Sequence, residues 1–220
     1  GSTFTFVVQA DPHLDENVIP ERYHQSMLNI RSDRPDFLVD LGDTFMTGKY
    51  RDDRKGAEKQ YLAQRYYFGI IGQSSPVFLV LGNHDGEGGG RERRTDAGDS
   101  SPSVWANLTR KKYFPNPIPD PFYTGNSKPH PAVGLLQDYY GWEWGNALFV
   151  VLDPYWYAAA ETGEGGENWS WSLGREQYDW LRRTLEASKS PFKFVFIHHL
   201  VGGATPEGRG GLEASFLYEW

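Results

Sequence analysis

An α/β fold with a largely parallel sheet is the expectation for this chain, and three observations carry it. Short β-rich apolar runs alternate with longer segments of helical period, in the order strand–helix–strand–helix–strand. The length of 220 residues suits one domain with a substantial apolar core. No internal repeat and no linker divides residues 1–220, so they read as a single domain.

Residues 3–9 (TFTFVVQ) are β-rich and run into Asp11, which makes them the first strand. Pro20 suits the opening position of a helix, followed by Tyr23, Met27 and Ile30 at helical spacing. Residues 37–41 read as a second strand. Residues 56–71 resume a helical pattern through Tyr61, Leu62 and Tyr66, and residues 76–81 form a third strand. Two stretches then read as long ordered loops of the kind that carry function: 86–103, rich in Gly, Arg and Asp, and 115–131, rich in Pro. Residues 138–144 and 147–152 flank Gly145-Asn146, a favourable hairpin turn. Residues 163–172 are another loop. An amphipathic helix over 173–188 places Tyr178, Leu181 and Leu185 on one face, and a strand over 192–197 ends in His198-His199.

Composition narrows the function. A net charge of −7 argues against long nucleic acid held by bulk electrostatics. A small anionic substrate stays open, because metal cations reverse the local sign. No apolar run approaches the roughly 18 residues of a membrane span. With no cysteine, disulfides and thiolate metal sites are excluded and the redox compartment is left open. Gly1-Ser2 abutting a strand reads as a cloning scar behind a removed leader, which favours a secreted or periplasmic location over the cytoplasm. Aromatics make up 15% of the chain and concentrate between Trp105 and Trp180, where they either fill a core or wall a binding surface.

Four strands end in polar chemistry: Asp11-Pro12-His13, Gly42-Asp43, Gly82-Asn83-His84-Asp85 and His198-His199. At the carboxyl ends of strands in an open parallel sheet, such side chains gather along one edge, where ligands bind. Asp11 and His13 are two apart and point to the same side of an extended segment. Gly42 and Gly82 allow a sharp backbone turn before each polar residue. Taken alone, Asp11-Pro12 reads as a turn, Gly42-Asp43 carries almost no information, and Asn83-His84-Asp85 reads equally well as a turn or as functional. Their conjunction favours a metal site, since the turn reading has to be invoked anew for each strand. Oxygen and nitrogen donors without sulfur suit Mn, Fe, Co or Zn better than a calcium cage. Asp43, central and on its own strand end, is the natural bridge between two ions. His24 reads as structural on the first helix, and His130 as solvated within Lys128-Pro129-His130-Pro131.

Taken together, the motifs resemble the calcineurin-like metallophosphoesterase superfamily, whose signature runs D-x-H, G-D, G-N-H-[DE], a histidine after a strand, then G-H-x-H. The first four stand here as Asp11-Pro12-His13, Gly42-Asp43, Gly82-Asn83-His84-Asp85 and His198. The flanking stretches look more weakly like a secreted bacterial branch. The resemblance implies a four-layer α/β/β/α sandwich and two divalent or trivalent transition-metal ions (Mn, Fe, Zn or Co). Asp11, His13 and Asp43 would hold one ion; Asp43, the Asn83 amide oxygen and His198 the other. His84 would be no ligand but would stabilise or protonate the leaving oxygen, oriented by Asp85. His199 would support the site. Apart from the resemblance, Arg91, Arg93 and Arg94 read more readily as a solvated charge cluster than as contacts for extra phosphates.

The implied reaction is hydrolysis of a small phosphorylated substrate, a phosphomonoester or a phosphodiester, by metal-bound hydroxide. Met46 stands where purple acid phosphatases carry their iron-binding tyrosine, so no tyrosinate colour is expected. G-H-x-H is absent. The chain is therefore expected to be the N-terminal and central part of its domain, incomplete at the C-terminus, with the rest of the polypeptide completing the site. The rival from another class is a non-catalytic metal-binding scaffold with an aromatic-rich surface for a partner or glycan. The intact His84 speaks against it.

Overall fold

Strands β1 (Phe6–Gln9), β2 (Phe37–Asp40) and β3 (Val77–Leu79) lie side by side in a parallel sheet, in that order. Phe6 pairs with Phe37 and Leu38 with Val77. The computed structural model describes residues 3–50, 53–88, 101–157 and 173–198. Helices α1 (Pro20–Asp33) and α2 (Arg54–Gly72) connect these strands. Pro20 opens α1, and the side chain of Asp53 caps α2 by accepting from Gly56 N at 2.9 Å.

A second sheet contains β4 (Tyr123–Gly125), β5 (Tyr140–Trp144), β6 (Ala147–Val151) and β7 (Phe192–Phe196). The pairs β4–β5 and β5–β6 are antiparallel, whereas β6–β7 is parallel. Gly145, at φ 62°, turns the β5–β6 hairpin, as its Gly-Asn signature predicts.

Side-chain alternation dictates how the sheets stack. On β2, Phe37 and Val39 face one way and join Phe78, Tyr140, Trp142, Phe149 and Phe196 between the two sheets. Leu38 faces the other way, into a cluster with Tyr23 and Met27 of α1 and Tyr61, Phe68 and Ile71 of α2. Beyond the second sheet, α4 (Gly174–Ala187) packs Trp180 against Tyr139, Leu148 and Val150. The result is the expected four-layer α/β/β/α sandwich. Its core is aromatic, with Phe78 stacked on Trp142 at 4.1 Å and Phe37 edge-on to Phe149 at 5.1 Å. Each fully buried Phe stabilises the fold by about 1.5–3 kcal/mol. Among the described residues, the central aromatic richness is thus chiefly core.

Several expectations need correction. β7 does not extend the parallel sheet of β1 to β3; its edge-on partner is β6, from Ala147↔Phe192 to Val151↔Phe196. Helix α3 (Pro102–Tyr113) starts inside the segment read as loop, where Ser101 Oγ accepts from Val104 N at 3.2 Å and Pro102 fills the first turn. β4 lies within the Pro-rich stretch. The buried face of α4 centres on Gln177 and Trp180, with Tyr178 only half-buried. His24, read as structural, is half-buried on the flank of α1 and packs against Tyr66 at 6.0 Å, in keeping with that reading. His130 is half-buried too, accepting from Ala132 N at 3.2 Å and meeting Trp156 edge-on, so it is packed rather than solvated. No helix among the described residues is long and apolar enough to cross a membrane.

α3 is tied to the loop after β3 by a buried ion pair. Arg110, 0% exposed, reaches Glu87, 2% exposed, through Nε–Oε1 at 2.5 Å and Nη2–Oε2 at 3.1 Å. Asn107 Nδ2 also donates to Glu87 Oε2, at 2.7 Å. Arg110→Met would leave Glu87 buried without its cation, a loss expected to cost about 3–5 kcal/mol. Urea unfolding checks this: the double variant Arg110→Met/Glu87→Gln should recover much of the loss, and an additive double variant would show that the pair is not coupled.

Candidate metal centre

Beyond the sheet, the exits of β1, β2 and β3 are fastened to one another by backbone. Leu41 N donates to Gln9 O at 2.8 Å, Asp11 N to Gly42 O at 3.1 Å and His13 N to Asp43 O at 3.3 Å, so the first ladder continues into the loops. Gly42 sits at φ 100°, and a Cβ there would meet Gly82 N at 2.5 Å. A Cβ on Gly82 would meet Asp43 N at 2.2 Å. Two strand exits thus touch backbone to backbone, which is why both motifs carry glycine. Gly82→Ala is expected to cost about 3 kcal/mol, at the upper end of ordinary substitutions, because the atom it meets is backbone and cannot swing aside. A thermal-melt shift of the protein reads it, and an unchanged melt would show that the loops give way freely.

Two buried carboxylates lock the loops from behind. Asp85 Oδ1 accepts from Thr44 N and Phe45 N, both at 2.8 Å, and Oδ2 from Gly82 N at 2.8 Å and Asp43 N at 3.1 Å. Asp40 accepts from Gly42 N at 3.2 Å, from Gln9 Nε2 at 2.5 Å and from the Thr44 hydroxyl. Burial pushes Asp85 up to about 8, with the Asp43 charge adding to the rise against the pull of the Phe45 amide. Burial likewise raises Asp40 to about 6. Asp85 was expected to orient His84. Its four amide contacts go instead to the loop backbone, and among the described residues it makes no hydrogen bond to the His84 ring.

The donors converge around Asp43. Potential ligand atoms of Asp11, His13 and Asp43 all lie within 4.8 Å of one another. His13 Nε2 is 3.3 Å from Asp11 Oδ1 and 3.4 Å from Asp43 Oδ2. On the other side, His198 Nε2 is 3.1 Å from Asn83 Oδ1 and 3.6 Å from Asp43 Oδ1. His198 enters from the second sheet, and its Nδ1 lies 2.8 Å from Leu41 O. A carbonyl only accepts, so Nδ1 carries a proton, and in the neutral ring the Nε2 lone pair faces the two oxygens. Asp11, His13 and Asp43 hold φ of 54°, 37° and 54°, a region side chains avoid at a cost of about 1–3 kcal/mol each.

This arrangement suits cations. Acceptor lone pairs point at one another, with the buried carboxylates of Asp40 and Asp85 behind them. Asp43 is paired with no Lys or Arg among the described residues; its ion-pair partners are His13 and His198. Positive charge between these donors would relieve the repulsion, and the oxygen and nitrogen donor set fits first-row transition metals. Residues 4–215 match the calcineurin-like phosphoesterase family over nearly the whole chain. The chain belongs to that family. A solved dimetal phosphatase from Danio rerio shares the fold, with a TM-score of 0.53 at 18% identity over 98% of this chain and 76% of that one. No curated protein matches.

In this calcineurin-like phosphoesterase, Asp11, His13, Asp43, Asn83 and His198 are brought together, and His84 stands beside them. The His84 amide donates to Asp43 Oδ1 at 2.8 Å, which fixes the residue's backbone to that carboxylate. Its ring is 6.2 Å from that of His13, is half-buried, and makes no hydrogen bond among the described residues. It lines a cleft of about 560 Å³ with Asp11, His13, Asp15, Met46 and Lys49. His199 and Arg91 lie outside the described residues, as do Arg93 and Arg94. Sequence reasoning missed Asp40 and the Asp15–Lys49 pair. A charged residue inside the wholly buried run Phe37–Asp40 was the available signal for the first; the second had none.

Proposed function

We propose that this protein hydrolyses phosphoesters at a dinuclear metal centre, with Asp11, His13 and Asp43 holding one transition-metal ion and Asp43, Asn83 and His198 the other. The observation that carries this reading is the division of the Asp43 carboxylate. Oδ2 faces His13 at 3.4 Å and Oδ1 faces His198 at 3.6 Å, so one anion serves two donor sets. Bound there, such ions supply Lewis acidity, polarising a phosphoryl oxygen and acidifying water toward neutral pH.

The residues of the chain do the rest. Leu41 O holds His198 in the tautomer that presents Nε2. Asp85 and Asp40 keep the loops in one arrangement, so little reorganisation accompanies the reaction. His84 presents its ring in the cleft and delivers a proton from a ring nitrogen to the leaving oxygen. A purely structural site would have no use for such an imidazole, which sets this reading above a non-catalytic scaffold. The net charge of −7 favours small phosphorylated substrates over long nucleic acid.

Hydrolysis of an aryl phosphomonoester and an aryl phosphodiester, with Mn or Zn added and then chelated, tests the proposal. Turnover that disappears with chelator and returns with metal supports it. No turnover of either ester with any of Mn, Zn, Fe or Co overturns it.

A further inference from the structure

Asp43 is followed by a single 3₁₀ turn, Thr47–Tyr50, that the proposed chemistry does not use. This turn is pinned to the His84 loop: Gly48 N donates to His84 O at 2.9 Å, and a Cβ on Gly48 would sit 3.3 Å from that oxygen. Lys49, the next residue of the turn, lines the same cleft as His84. Imidazoles apart, it is the one basic side chain among the described residues that line the cleft, whose other charged members are Asp11 and Asp15.

Lys49 pairs with Asp15, and the pair has a direction. The Asp15 side chain is 2% exposed and its Oδ1 accepts from Asn17 N at 3.0 Å, whereas the Lys49 side chain is 37% exposed. The carboxylate is therefore the buried end and the ammonium the end offered to the cleft. An ammonium has three N–H donors, and Asp15 is its one hydrogen-bond partner among the described residues. A compact cation with donors to spare, in the cleft that the His84 imidazole also lines, matches a phosphate oxygen as a point charge.

Resting on the proposed phosphoesterase activity, we propose that Lys49 is the specificity-determining residue of the cleft, binding the additional negative charge of a phosphomonoester dianion and so favouring it over a phosphodiester monoanion. Asp15 is the positioning residue that aims the ammonium.

The test uses Mn-loaded wild type, Lys49→Met and Asp15→Asn, with kcat and KM measured for an aryl phosphomonoester and a bis-aryl phosphodiester. Inorganic phosphate binding is measured by calorimetry alongside. In Lys49→Met, loss of one charge-assisted hydrogen bond should raise KM for the monoester about tenfold or more and leave the diester within about threefold. Asp15→Asn should weaken the preference for the monoester only in part, since the ammonium remains but is no longer aimed. Equal losses on both esters in Lys49→Met, or the same loss of preference in both variants, would show that the pair only braces the loop and would overturn the proposal. Should wild type turn over neither ester, the phosphoesterase reading fails, and the phosphate arm decides alone: about tenfold weaker binding in Lys49→Met upholds the anion site, and unchanged binding removes it.

Discussion

Asp43→Asn is expected to lower turnover of an aryl phosphomonoester by on the order of 10³-fold, the equivalent of several kcal/mol of charge stabilisation. The carboxylate is nearly buried, 4% exposed, and offers one oxygen to each donor set. An amide in its place keeps one acceptor oxygen, which can still receive the His84 amide, but removes the negative charge and turns the second ligand atom into a donor. The fold should survive, because Asp85 holds the same loops through four other amides. Rates measured across a Mn titration, with the thermal melt as control, check this. Near-wild-type rates at saturating metal would show that the charge of Asp43 is dispensable.

His84→Ala should lower turnover by about 10²–10⁴-fold on substrates with poor leaving groups, the usual worth of positioned proton transfer. The loss should shrink for nitrophenyl esters, whose leaving oxygen needs little protonation. Metal content should stay near that of wild type, because the contact of His84 with Asp43 runs through its backbone amide, which alanine retains. A series of aryl and alkyl phosphates, with elemental analysis of each preparation, separates the effects. Loss of metal in the variant, or an equal loss on every leaving group, would remove His84 from proton delivery.

The five ligand candidates were legible because each follows an apolar run whose identity as a strand is local. Phe37–Asp40 reads as a strand from four residues, and the glycine after it announces the turn. What pairs with what was less legible. β7 looks like the other strands along the chain, and only contacts with Ala147–Val151, more than forty positions earlier, put it in the second sheet. Its histidine still reaches the site because both sheets deliver strand ends to the same side, with Leu41 O receiving His198. α3 was obscured by its content: Asn107 and Arg110 are buried polar residues, so its inner face lacks the apolar stripe that marks a helix. Adjacency of Asp85 to His84 along the chain says nothing of where its carboxylate bonds, which is to the amides of the Asp43 loop. Lys49 and Asp15 meet across 34 positions, a pairing that no periodicity encodes.

Calorimetric titration of Mn into wild type, His13→Ala and Asp43→Asn asks whether one carboxylate serves two metal positions. His13 borders only the Asp11 side, so His13→Ala should weaken one binding event and spare the other. Asp43→Asn should weaken both events together. Loss of a single event in Asp43→Asn, with the second at wild-type affinity, would contradict the shared carboxylate and reduce the centre to two independent sites.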